Sequence, residues 1–128
     1  MPGIVHGYPN LLLRAEALAI FIAAVGAYVL LGGSWIMFLA LMLVPDLFML
    51  GYLFGPRAGA AVYNVGHWYV WPLAFIGVGA VLAFPILLQI GLIWIPHIAF
   101  DRMVNAGFKY SEGFRYSHLG VVRAKSAA

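Results

Sequence analysis

Polar residues are confined to narrow zones of this chain, and four long apolar stretches run between them: residues 11–31, 35–54, 57–82 and 86–105. About 20 apolar residues suffice to cross the hydrocarbon core of a bilayer as a helix, so each stretch predicts a transmembrane span. Gly32-Gly33-Ser34, Gly55-Pro56 and Phe84-Pro85 punctuate the pattern and mark turns. Turns this short make successive helices antiparallel neighbours. The pattern therefore predicts an all-α integral membrane protein: one domain over residues 1–128, an antiparallel four-helix transmembrane bundle with a polar C-terminal tail at 106–128. No internal repeat or linker interrupts it.

Composition agrees with the pattern. The chain is 65% hydrophobic and 9% charged, whereas soluble domains carry about 25% charged residues. Its basic residues are Arg14, Arg57, Arg102, Lys109, Arg115, Arg123 and Lys125. They fall at the start of helix 1, in the turn between helices 2 and 3, or at and beyond the end of helix 4. The net charge of +3 is thus a topology signal rather than a nucleic-acid footprint. By the positive-inside rule it places both termini and the middle turn in the cytoplasm. Helix 1 lacks a basic leader and a small-residue cleavage site and carries Glu16, so it is expected to stay rather than be removed as a signal peptide. The absence of cysteine excludes disulfides, thiolate zinc sites and iron–sulfur clusters.

Asp46, His67 and His97 interrupt three of the four apolar stretches. At about 1.5 Å of rise per residue, they lie roughly 13, 15 and 12 Å from the basic ends of helices 2, 3 and 4. Three helices thus aim an ionisable group at one layer, and such groups are costly in hydrocarbon and mark functional sites. His97 and Asp101 are four apart and share a helix face, as do Tyr63, Asn64 and His67. Glu16 enters from the same end. Pro45 and Pro96 precede Asp46 and His97, and Pro72 follows His67. Each proline deletes a backbone donor, and such irregularity at membrane depth is tolerated where it lines a cavity or is buried in protein.

Imidazole with carboxylate is the ligand set of zinc, manganese or non-haem iron. Asp46, His67, His97 and Asp101 would give such a divalent metal two histidines and two aspartates. The metal would polarise an ester or phosphoryl oxygen and lower the pKa of a bound water. Arg14, Arg102 or Arg57 at the rim would hold an anionic head group, with Glu16, Tyr63 and Asn64 as further substrate contacts. Asp101 would serve as general base, and His118 as another ligand or proton donor. Three other readings stand beside this one. The layer would be interhelical glue, a proton path, or a haem site with His67 and His97 as axial ligands. In the glue reading the chain is a non-catalytic subunit of a larger membrane complex. Otherwise it is an enzyme, alone or as a homo-oligomer, whose constant partner is the lipid bilayer.

The motifs Leu12-Leu13-Arg14-Ala15-Glu16, Pro45-Asp46-Leu47-Phe48-Met49-Leu50-Gly51-Tyr52, Tyr63-Asn64-Val65-Gly66-His67, His97-Ile98-Ala99-Phe100-Asp101-Arg102, Gly107-Phe108-Lys109-Tyr110 and His118-Leu119-Gly120 run in order along nearly the whole chain. In these the sequence resembles domain-of-unknown-function family 4260. The resemblance implies a small bacterial multi-span protein of the inner (cytoplasmic) membrane and carries no activity with it. More loosely, the Pro-Asp element, the mid-chain histidine and the later H-x-x-x-D look like the predicted membrane-bound metal-dependent hydrolases of the bacterial inner membrane. That likeness implies Asp46, His67, His97 and Asp101 as metal ligands. The chain departs from it in being shorter and in having only Tyr63-Asn64 ahead of His67.

Overall fold

The structure, a computed structural model, describes residues 3–111 and 113–121; Arg123 and Lys125 of the basic set lie outside the described residues. It is mostly helical. Helix α1 (Gly7–Leu30) is a single 24-residue rod. The turn expected at Gly32-Gly33-Ser34 is present, with Ser34 Oγ accepting from the Met37 amide at 3.3 Å to open α2 (Trp35–Met42). Tyr28 caps the same corner by donating to the Ser34 carbonyl at 2.5 Å. At Pro45 the chain tightens into a 3₁₀ helix, Val44–Phe54. Together Trp35–Phe54 keep the length and apolarity of one span, as do Gly7–Leu30 and Pro85–Met103. Exposed residues such as Leu30 and Phe54, 89% and 85% accessible, are then a lipid-facing surface.

The third expected span, 57–82, is not one helix. It divides into α3 (Pro56–Gly66) and α4 (Val70–Val81), joined by His67-Trp68-Tyr69. Pro72 has no N–H to offer the Trp68 carbonyl, so a helix through this point would be broken there. Placed instead in the first turn of α4, its missing donor costs nothing. The freed end of α3 is closed from outside, where the Trp94 indole N–H donates to the Gly66 carbonyl at 2.7 Å. Helix α5 (Pro85–Met103) is the central element. Both α1 and α4 pack along it, and its stretch from Gly91 to Ala99 is almost wholly buried. Short turns nevertheless leave α1 lying chiefly against α5 rather than α2, so the order of neighbours is not simply the order along the chain.

Helix α3 packs against the 3₁₀ helix because two glycines let aromatic rings close on its backbone. A Cβ at Gly59 would collide with the Tyr52 ring, and one at Gly66 with Phe48. Small residues at interfaces are how membrane helices gain contact without a hydrophobic driving force.

The tail is more than a polar extension. Lys109–Tyr110 (β1), Gly113–Ser117 (β2) and Gly120–Val121 (β3) form an antiparallel sheet of order β1-β2-β3. Lys109 lies opposite Ser117, and Ser117 opposite Gly120. The sheet is sewn to the bundle by polar side chains. Asn64 on α3 accepts from the Lys109 amide at 2.6 Å and donates to the Lys109 carbonyl at 2.9 Å. Asn10 on α1 donates to the Leu119 carbonyl at 2.8 Å. Ser117, fully buried, donates to the Asn105 carbonyl at 2.8 Å.

Asn64→Ala removes both bonds to Lys109 and leaves a backbone amide and carbonyl unmatched. At about 1 kcal/mol per bond the expected loss is about 2 kcal/mol of sheet docking. Faster proteolysis within 109–121, with the helical circular dichroism unchanged, is the readout.

Candidate metal centre

Bending of the second span creates the first half of the site. In an α-helix the Met42 carbonyl would accept from the Asp46 amide, but that amide bonds Leu43 at 3.2 Å in the 3₁₀ turn. In that tighter turn the donor to Met42 would be residue 45, a proline without one. An orphan carbonyl at membrane depth is expensive, and the His97 ring fills the gap. Its Nδ1 lies 2.5 Å from the Met42 oxygen. His67, at the broken end of α3, meets the Tyr63 carbonyl with its own Nδ1 at 2.8 Å. With both Nδ1–H groups donated to carbonyls, each ring presents Nε2 as an acceptor on its far side.

Those two Nε2 atoms lie 3.2 Å apart. Asp46 Oδ1 is 3.1 Å from His97 Nε2 and 3.9 Å from His67 Nε2. Asp101 Oδ2 is 3.3 Å from His67 Nε2 and 3.4 Å from His97 Nε2. One donor atom from each of the four residues falls within 4.8 Å of every other. A tetrahedral ion with bonds of about 2.0–2.1 Å would space its donor atoms by roughly 3.3 Å. Four separations match that spacing and a fifth is longer. Two carboxylates and two neutral imidazoles also sum to the charge that a divalent cation cancels. The residues fit a metal in number, donor type and spacing.

The surroundings orient this set. The Tyr63 hydroxyl donates to Asp101 Oδ2 at 3.2 Å, and its ring stacks on His67 with centroids 3.7 Å apart. Such outer hydrogen bonds fix ligand orientation in metal sites. His67 and His97 are buried, whereas the Asp46 side chain is 47% exposed, so the cluster is open on the 3₁₀ side. An apolar groove of about 200 Å³ lies on the same elements, lined by Leu41, Val44, Pro45, Phe48, Ile90 and Trp94, with Pro45 adjoining Asp46 in sequence. Ile90, Trp94, His97 and Asp101 follow one another at spacings of four, three and four on one face of α5.

The remaining predicted residues are placed elsewhere. Arg14 donates through Nε to the Met103 carbonyl at 2.8 Å, tying α1 to the end of α5. Asn64 holds the sheet. Arg102, Glu16 and His118 line a separate recess, and the His118 Nδ1 accepts from the Phe108 amide at 2.9 Å. The reading that grouped them with the cluster missed that Arg102, one residue beyond Asp101, points about 100° around the helix. It also missed Lys109, buried with its ammonium 5.0 Å from the Tyr63 ring centroid and 4.3 Å from that of Phe114. Burial pushes the Lys109 amine down, against the opposing pull of the Asp101 charge. The signal available for it was the turn chemistry around Ser111 and Gly113 between short alternating segments.

The sequence profile of the family described as domain of unknown function (DUF4260) matches residues 10–122, and the chain belongs to that family. Neither a search of curated proteins nor one of solved structures found a match.

Burial, reinforced by the Arg102 charge, holds His118 below the usual histidine range. A depressed value means that the fold favours the neutral ring. Its contribution is present above the free value near 6.5 and is lost as pH falls through the folded value. Hydrogen exchange at the Phe108 amide, corrected for its intrinsic pH dependence, should therefore accelerate as pH falls below about 6.5. In His118→Asn, which does not titrate, that acceleration should vanish.

Proposed function

We propose that this family member is a metal-binding membrane protein in which Asp46, His67, His97 and Asp101 hold a divalent cation such as zinc, manganese or iron. We propose further that it acts as a metal-dependent hydrolase on a lipid-like phosphate or ester. The observation that carries the first part is the convergence of two Nε2 atoms and two carboxylate oxygens at separations of 3.1–3.4 Å. Both Nδ1 positions are already committed to carbonyls. Four acceptors facing one another without a donor repel unless a cation or shared protons lie among them.

When bound, the metal would supply Lewis acidity and a water of lowered pKa. The chain's own residues do the rest. Tyr63 holds Asp101 by its hydroxyl, which keeps one carboxylate oxygen on the cluster and leaves the other for proton acceptance as general base. The groove beside Asp46 has apolar walls of suitable kind for an alkyl tail. Lys109, beside Tyr63 and within electrostatic reach of Asp101, supplies a positive charge for an anionic substrate, in place of Arg14. The positive-inside rule puts the basic end of the bundle, and both termini, on the cytoplasmic side of a bacterial inner membrane.

The haem alternative is disfavoured by the same distances. Axial nitrogens flank a macrocycle from opposite faces, whereas these two are in contact at 3.2 Å with a carboxylate oxygen close to each. A non-catalytic subunit remains the rival to the enzyme, and the two part on measurable grounds.

Elemental analysis of protein purified in detergent without chelators should find about one divalent metal per chain, and His97→Ala should abolish it. A metal-free wild type would leave the cluster as interhelical glue. Given metal, Asp46→Asn should lower hydrolysis of short-chain phosphate and carboxylate esters by at least about a hundredfold while the protein still inserts. Metal without turnover of any ester, together with stoichiometric partner chains on mild solubilisation, would instead assign a subunit.

A further inference from the structure

A second recess lies between α1, the α3–α4 break, the end of α5 and the tail. It has a volume of about 270 Å³, is lined by Glu16, Tyr69, Arg102 and His118 among others, and shares no residue with the metal cluster. Its polar groups are prepared for a guest. The Arg102 guanidinium lies 4.4 Å from the Tyr69 ring centroid and 4.8 Å from that of Phe108. Two aromatic rings thus hold it in place, and its donors keep their forked pattern for a planar or tetrahedral anion. Among the described residues no carboxylate pairs with it. The Tyr69 hydroxyl is buried without a hydrogen-bond partner, a condition that native structures seldom leave unexplained. Because His118 Nδ1 accepts from Phe108, the neutral ring keeps its Nε2–H as a donor.

Three donor groups, one of them cationic, describe an oxyanion site. Glu16, on the same wall, would repel a simple anion. A guest that carries a phosphate and, a few bonds away, an ammonium satisfies both sides. A primary ammonium suits Glu16 because its N–H groups can donate to the carboxylate. A quaternary ammonium would need open aromatic faces, and the rings of Tyr69 and Phe108 are already engaged by Arg102. The recess sits at the last turn of α5, where a bilayer spanned by α1 and α5 places its head groups. Leu13, Ala17 and Ile20 continue its wall along α1 in apolar side chains.

We propose that this recess binds the head group of a phosphoethanolamine lipid, its phosphate on Arg102, Tyr69 and His118, its ammonium on Glu16, and the first carbons of its tails along Leu13 and Ile20. The site is independent of the metal cluster and stands or falls without it.

Thermal unfolding of delipidated protein in a phosphate-free detergent, with chelator present, tests this. The probes are dihexanoyl phosphatidylethanolamine, phosphatidylcholine and phosphatidylglycerol, and free phosphoethanolamine. The ethanolamine lipid should stabilise the protein saturably and bind at least about tenfold more tightly than either other lipid. Tyr69→Phe keeps the ring under Arg102 and removes only the hydroxyl, and it should weaken binding about fivefold or more. Glu16→Gln should erase the preference for ethanolamine over choline. Free phosphoethanolamine binding as tightly as the lipid would keep the chemistry and make a soluble ester its source, whereas weaker binding assigns the bilayer. No saturable response to the ethanolamine lipid, equal affinity for all three lipids, or wild-type behaviour of both variants would overturn the proposal.

Discussion

One unpaired carbonyl organises this protein. Pro45 removes the donor that a 3₁₀ turn would give Met42, and Asp46 spends its amide on Leu43. In water such a carbonyl would simply be hydrated, but at membrane depth it needs a protein donor. His97 provides it at 2.5 Å, and in doing so its ring is fixed with Nε2 turned toward Asp46. One helix away, the Tyr63 carbonyl at the end of α3 accepts from both the His67 amide and the His67 ring, and the Gly66 carbonyl is met by Trp94. The His97 imidazole is aimed by the hydrogen-bonding need of a broken helix, and that of His67 by a second bond to a carbonyl at a helix end.

This arrangement explains why irregular backbone and ionisable side chains occur together. A regular helix satisfies its own carbonyls and gives a histidine nothing to lean on. The proline-bent second span, the interrupted third and α5 with Pro96 each contribute to one cluster. Tyr63 connects both layers of the site, since its carbonyl holds His67 and its hydroxyl holds Asp101.

Much of this was legible in the chain. Three membrane-length apolar helices and the convergence of Asp46, His67 and His97 follow from spacing and helical rise, and the H-x-x-x-D pair was sufficient to add Asp101. The break at residues 67–69 was visible only as a proline in the wrong place for a long helix, because apolar content masks a helix end. The sheet at 109–121 was hidden for a different reason. Its strands are two to five residues long, too short for alternation to register, and their partners are side chains of α1 and α3 far away in sequence. Arg102 and His118 were expected beside the metal cluster and instead line a separate recess, because position along the chain does not say which face of a helix a residue occupies or where a tail folds back.

The tail has a consequence for biosynthesis. Val5 donates to the His118 carbonyl and Asn10 to that of Leu119, so the first and last described elements are stitched directly together. Synthesis proceeds from the N-terminus, and the side chains of residues 46, 67, 97 and 101 cannot meet until α5 has left the ribosome. The stitching waits longer still, for residue 119. Throughout translation, then, the acid on the second span and the imidazole on the third reside in the membrane without their final partners. The protein becomes a closed unit only once residue 119 has been made, and a chain cut short at residue 116 would have every helix in place and the clasp undone.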